Sequence, residues 1–152
     1  MKKWLTPLFA ALIVAMLAGC ASNSEIIATG LRIQLTQIRA AADGSVEVSW
    51  RVNNPNVVPY LVDRSSHKIL LNGEAVGTVV DNTRVGLPPQ SGVDRKAALT
   101  PANAAAAQRI AAAAGQESVN YRVDTTIWLL LVDDELEKAS LTASGSVPVS
   151  GQ

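Results

Sequence analysis

Few residues in this chain could carry chemistry. Its 152 residues hold one cysteine and one histidine, Cys20 and His67. His67 lies in the polar run Ser65-Ser66-His67-Lys68. A nucleophilic hydrolase needs a base beside a nucleophile and an acid that orients the base. No Gly-x-Ser-x-Gly elbow is present to supply the nucleophile. His67 therefore reads as a surface residue, and no catalytic residue is assigned. Asp133, Asp134, Glu135 and Glu137 form the densest acidic cluster. Calcium takes about six to eight oxygens from several directions, and this run lacks the spaced Asp/Asn-Gly loop that presents them. It reads as a solvated hairpin turn whose charges discourage edge pairing. No metal, cofactor or small-molecule substrate is expected.

Cys20 has a different setting. Lys2 and Lys3 are followed by an apolar run from Trp4 to Leu17 and then by small residues. That is the layout of a secretory signal, and the run is shorter than the ~20 residues of a spanning helix. Leu17-Ala18-Gly19-Cys20 resembles the bacterial lipoprotein signal, in which the cysteine is acylated and becomes the mature N-terminus. The resemblance implies a signal peptide over 1–19 and a diacylglyceryl group on Cys20, usually with a third acyl chain such as palmitate. Several chains hold a membrane firmly where one holds it marginally. A lone cysteine cannot close an intramolecular disulfide, and lipidation accounts for it. Ala21 and Ser22 follow with no aspartate between them. By resemblance to lipoproteins of Gram-negative bacteria, this implies the cell envelope, at the outer membrane.

Loss of residues 1–19 removes Lys2 and Lys3, so 11 basic residues face 13 acidic ones and the net charge becomes −2. No basic cluster calls for a nucleic acid. The remaining length suits one domain with its own core. Residues 20–30 read as the lipidated cysteine and a tether, although Ile26 and Ile27 could equally begin an edge strand. Residues 31–150 read as the domain.

Most of that domain alternates with period two. Leu31, Ile33 and Leu35 open one strand, and Ala41-Ala42-Asp43-Gly44 supplies a turn. Val46, Val48, Trp50 and Val52 share one face of the next strand. Lys68–Leu71 and Ala75–Val80 flank Asn72-Gly73, a type I′ hairpin pair. Val85–Leu87 and Val93–Leu99 read as further strands. Thr100 and Pro101 read as the N-cap and first residue of an alanine-rich helix over Ala102–Ala114, with Gly115 at its C-terminal end. Its buried face would hold Ala106, Ile110 and Ala113 and would cover an open end of the sheets. Val119 to Leu131 and Ala139 to Val149 form a closing hairpin. The fold expected is all-β with one short helix, an antiparallel β-sandwich.

The order of features resembles the group 2 late embryogenesis abundant proteins, the water stress and hypersensitive response (WHy) domain. A strand ends in Asn54-Pro55-Asn56, Leu61 follows, and Leu71-Asn72-Gly73, Leu87-Pro88-Pro89, Tyr121 and Ser144-Gly145 come in turn. The likeness spans about Leu31 to Val149. It implies a fibronectin-III/immunoglobulin-like sandwich of about seven strands, a role in tolerance of desiccation or other water stress, and no established catalysis. The alanine-rich helix and the acidic turn depart from many relatives.

Pro55 removes a ladder donor and Asn56 tolerates left-handed geometry, so this corner ends the strand. It would shape a loop displaying Val57, Val58 and Tyr60 as a contact surface, or serve only as a corner. In Trp128-Leu129-Leu130-Leu131-Val132 the odd positions face the core, which leaves Trp128 and Leu130 on the other face. That face is either a contact surface or is covered by the alanine-rich helix. The expected function is a membrane-anchored, non-catalytic stress-protection module that touches client or envelope proteins. The alternative is an assembly lipoprotein with one dedicated envelope partner.

Overall fold

A computed structural model describes residues 30–151 and shows nine strands and one helix among them. They run in the order β1 (Arg32–Ala40), β2 (Val46–Asn54), β3 (Tyr60–Leu71), β4 (Glu74–Asp81), β5 (Val85–Leu87), β6 (Ser91–Pro101), α1 (Ala104–Ala113), β7 (Val119–Leu130), β8 (Leu136–Val147) and β9 (Val149–Gly151). The expected signal peptide, Cys20 and all of the tether except Gly30 lie outside the described residues. Seven strands are long, and β5 and β9 have three residues each.

The strand order is β8-β7-β3-β4-β6-β2-β1-β9, with β5 also on β3. Neighbours are antiparallel except β1 and β9, which run parallel. β6 belongs to both layers. Its residues 91–98 pair with β2, and its residues 99–101 pair with β4. The result is an all-β sandwich with one short helix, as the alternation requires.

Inward faces carry the core. Val46, Val48, Trp50 and Val52 are all buried on β2, as are Val119, Tyr121, Val123, Ile127 and Leu129 on β7. β1 keeps Leu35 and Ile38 both inside because a bulge between Leu35 and Gln37 adds one residue and shifts the phase. The Tyr121 hydroxyl accepts from the Leu35 N–H at 3.3 Å, tying the two sheets together there. At the β3–β4 turn, Asn72 (φ 50°) and Gly73 (φ 84°) both have positive φ, as a type I′ turn needs.

The helix starts later than the sequence suggests. Thr100 and Pro101 remain in β6, opposite Thr78 and Gly77. Asn103 is the N-cap, its side-chain oxygen accepting from the Ala106 N–H at 2.8 Å. Pairing with β4 holds the chain extended for longer than local propensity alone would. Gly115 follows the helix with φ 88°, and Ala106, Ile110 and Ala113 are buried. The helix packs against β4, β6 and β9. It therefore closes one end of the sandwich and does not cover Trp128.

Gly77 marks the closest approach in this region. It pairs with Ile69 on β3 and with Pro101 on β6. A methyl group here would run into the Thr100 carbonyl oxygen and would sit 2.7 Å from Leu99 Cδ2. Backbone cannot rotate aside as a side chain can, so Gly77→Ala should destabilise the fold by about 2 kcal/mol. Urea denaturation of the two proteins checks this.

Candidate functional site

The corner between β2 and β3 is built around Asn54, which is buried. The two N–H groups on its Nδ2 serve three carbonyl oxygens, those of Val58, Leu87 and Pro88 at 2.8, 3.2 and 3.1 Å, with one hydrogen shared between two of them. Its Oδ1 accepts from the Asn56 N–H at 3.1 Å. One side chain thus holds the corner to the loop after β5, and the Gln90 N–H closes the contact on the Asn56 carbonyl at 3.0 Å. Asn56 takes no positive φ, so the expected left-handed turn is not how the corner bends. The Asn54 amide bends it instead. Truncation would leave the buried Leu87 carbonyl unsatisfied and cut the corner loose from the loop after β5, a sizeable loss. Asn54→Ala should cost about 2 kcal/mol by chemical denaturation, and Pro55→Ala, at an exposed position, much less.

Beyond the corner, Val57 is 77% exposed and Val58 48%. Tyr60 is not part of this display. It begins β3 opposite Leu87 and is half-buried against the core. The strand runs much further toward its N-terminal end than the sequence shows. A bulge between Val62 and Arg64 breaks the alternation, and the inward positions after it are Ser65 and His67 rather than aliphatic residues.

Trp128 and Leu130 face outward and are half-buried. The Arg64 guanidinium lies 4.8 Å from the centre of the Trp128 ring, within cation–π range. Leu130 pairs with Leu136 on β8, which is 44% exposed. Val62 pairs with Leu129, so Leu61, 40% exposed, falls in the same row as Leu130 and Leu136. Val132, in the turn that follows, is fully exposed. Of the acidic cluster, Asp133, Asp134 and Glu135 are solvated, and Asp134 has φ 58°. Glu137 is the exception. It shares the inward phase of Ala139 on β8 and is buried, its Oε2 without a hydrogen-bond partner.

His67 is the clearest correction to the sequence reading. It is 1% exposed and points between the sheets. Trp50 packs on it with ring centres 4.5 Å apart, tilted by 51°. Its Nε2 is 2.9 Å from Ser65 Oγ and its Nδ1 2.9 Å from Thr125 Oγ1. The neutral ring has one donor and one acceptor nitrogen, and two hydroxyls that rotate freely satisfy either tautomer. Burial pushes its pKa down to about 4, against a smaller upward pull from Asp81. Asp81 is buried too. It accepts two bonds from Arg95 at 2.9 and 2.6 Å across the layers and one from the Thr83 N–H at 3.0 Å. These bonds outweigh its own desolvation and lower its pKa. An imidazole among hydroxyls could act as a base only if a substrate reached it, and here the core encloses it. The sequence did hold a sign of this: Ser65, His67, Ile69 and Leu71 share one phase, and all four are buried.

Among the described residues no group of three or more His, Cys, Asp or Glu side chains is placed to hold a metal ion. No protein-family model matches the chain, and no curated protein matches it significantly. Among solved structures it is similar to a protein from Archaeoglobus fulgidus, at 19% identity and a TM-score of 0.46 over 76% of this chain and 92% of that one. It is also similar to a protein provisionally assigned to the late embryogenesis abundant (LEA) proteins, at 8% identity and 0.45 over 93% and 79%. A third likeness is to a protein from Arabidopsis thaliana, at 11% identity and 0.46 over 80% and 79%. At these values the likenesses carry no argument about function. The fold rests on this chain's own strand order and registers.

Proposed function

We propose that this chain is a lipid-anchored protein of the bacterial cell envelope whose β-sandwich works by contact, as a stress-protection module of the WHy type. One observation carries the non-catalytic part. The one imidazole, His67, is sealed between the sheets with its Ser65 and Thr125 hydroxyl partners and the nearby Asp81 carboxylate, while large apolar side chains that could bind stand on the surface. The anchored part draws on Leu17-Ala18-Gly19-Cys20 and the apolar run before it. The stress role draws on the sequence resemblance through Asn54-Pro55-Asn56 and Leu71-Asn72-Gly73.

Two experiments test this. Cys20→Ser should move the protein from the membrane fraction to the soluble one, and mass spectrometry of the wild-type chain should find acyl groups on Cys20. A free thiol there would refute anchoring. A labile enzyme dried or frozen with the protein should keep more activity than with an equal mass of an unrelated protein. Equal losses would refute protection, and recovery of one stoichiometric partner from intact cells would replace it with an assembly role.

A further inference from the structure

Six large hydrophobic residues are exposed among the described ones: Val57, Val58, Leu61, Val80, Val132 and Leu136. Five of them gather at one end of the molecule. The register of β3 with β7 places Leu61 level with Leu130, and β8 adds Leu136 to that row. The turn carrying Val132 extends past β7 and β8. Val57 and Val58 extend past the start of β3 at the same end. Only Val80 lies elsewhere, in mid-sheet on β4.

The chain also arrives at this end. A Cβ on Gly30 would lie 3.3 Å from Asn56 Oδ1 and 3.5 Å from Pro55 Cγ, so the first described residue sits directly on the corner. Gly30 is ten steps along the chain from Cys20, and covalent geometry limits that span to roughly 35 Å. An acyl group at Cys20 would therefore tether the domain from this end, the one opposite the helix.

The chemistry of the surface agrees. Val57, Val58, Leu61, Val132 and Leu136 are aliphatic, and Trp128 with Arg64 over its ring is an amphipathic pair that suits a lipid–water boundary. Asp133, Asp134 and Glu135 stand beside Val132. They would repel an anionic surface and complement the ammonium groups of zwitterionic headgroups.

We propose that this end of the sandwich rests on a zwitterionic lipid surface, with the Val57-Val58 corner and the Val132 turn inserted at the headgroup boundary. The proposal rests on the lipid-anchored reading above and adds an orientation and a contact to it. The mature, acylated protein is reconstituted into phosphatidylcholine vesicles with a nitroxide at Val132→Cys or, as a control, at Gln116→Cys. Gln116 is exposed and lies near the Asn72 turn, at the opposite end of β3. Collisions with lipid-dissolved oxygen and with a water-soluble nickel chelate are then compared. The label at 132 should show an oxygen-to-nickel ratio severalfold above that at 116, and the difference should shrink as phosphatidylglycerol replaces phosphatidylcholine. Protein that floats with the vesicles while both labels stay equally open to nickel overturns the contact and leaves the anchor intact. Protein that does not float overturns the anchor and the contact together. A label at 132 that is immobilised without gaining oxygen assigns the patch to a protein and overturns the lipid proposal.

Discussion

Replacing Trp50 with alanine should lower the stability of this protein by about 4 kcal/mol, a large fraction of what a domain of this size has. Trp50 is the largest fully buried side chain, 1% exposed, and it sits near the middle of β2 with β1 on one side and β6 on the other. Its loss removes a large apolar area and leaves a cavity that two β-ladders prevent from collapsing. It also uncovers His67, whose ring it covers at 4.5 Å. Two effects should therefore appear together. The urea midpoint should fall, and the imidazole, now reached by water, should titrate closer to its ordinary value near 6.5. Denaturation and NMR titration of the same variant measure both. A loss below about 1 kcal/mol would mean that Trp50 does not organise the core.

The second large effect is a dependence of stability on pH that one residue supplies. His67 is the only histidine. Its pKa is 6.5 in the unfolded chain and about 4 in the folded one. Between these values the unfolded state binds more protons, so stability rises with pH. Its neutral form contributes fully above pH 6.5, and the contribution is lost as the pH falls toward 4. Over that window the shift corresponds to about 3 kcal/mol. Asp81, the charged group that faces His67, does not interfere. Its lowered pKa gives stability that is present above its unfolded value of 3.8 and lost below it. Unfolding free energies at pH 7 and pH 4.5 should differ by most of that amount in the wild type. His67→Gln, which keeps a buried hydrogen-bonding group without a titrating one, should flatten the profile. A wild type equally stable at both values would refute the burial argument.

The first effect arises where the sequence was easiest to read and the second where it was hardest. β2 and β7 were legible because their inward residues, Asn54 and Thr125 apart, are aliphatic or aromatic and alternate without a break in phase. The first half of β3 was not. A bulge at Val62/Arg64 breaks its phase, and two of its inward residues are polar, paired with partners 2 to 58 positions away. No local pattern encodes the Thr125 partner, 58 positions away. The helix was legible in composition, but its first turn gave way to the pairing of β6 with β4. At the end that carries the exposed apolar residues, Val57, Val58, Trp128 and Leu130 were visible as apolar residues out of phase or in a loop. Leu61 and Leu136 were not, because only the register of three strands brings them into one row. Tyr60 was misplaced for the same reason that β3 was shortened.

β6 leaves one layer and finishes in the other. Any separation of the two sheets must therefore break the backbone ladder within a single eleven-residue strand, as well as the side-chain packing between layers. No pair of fragments cut outside β6 divides this molecule into independent halves, since whichever piece keeps residues 91–101 carries a strand that the other piece needs. Split versions should assemble only when both pieces are present, and neither should be soluble as a folded unit by itself.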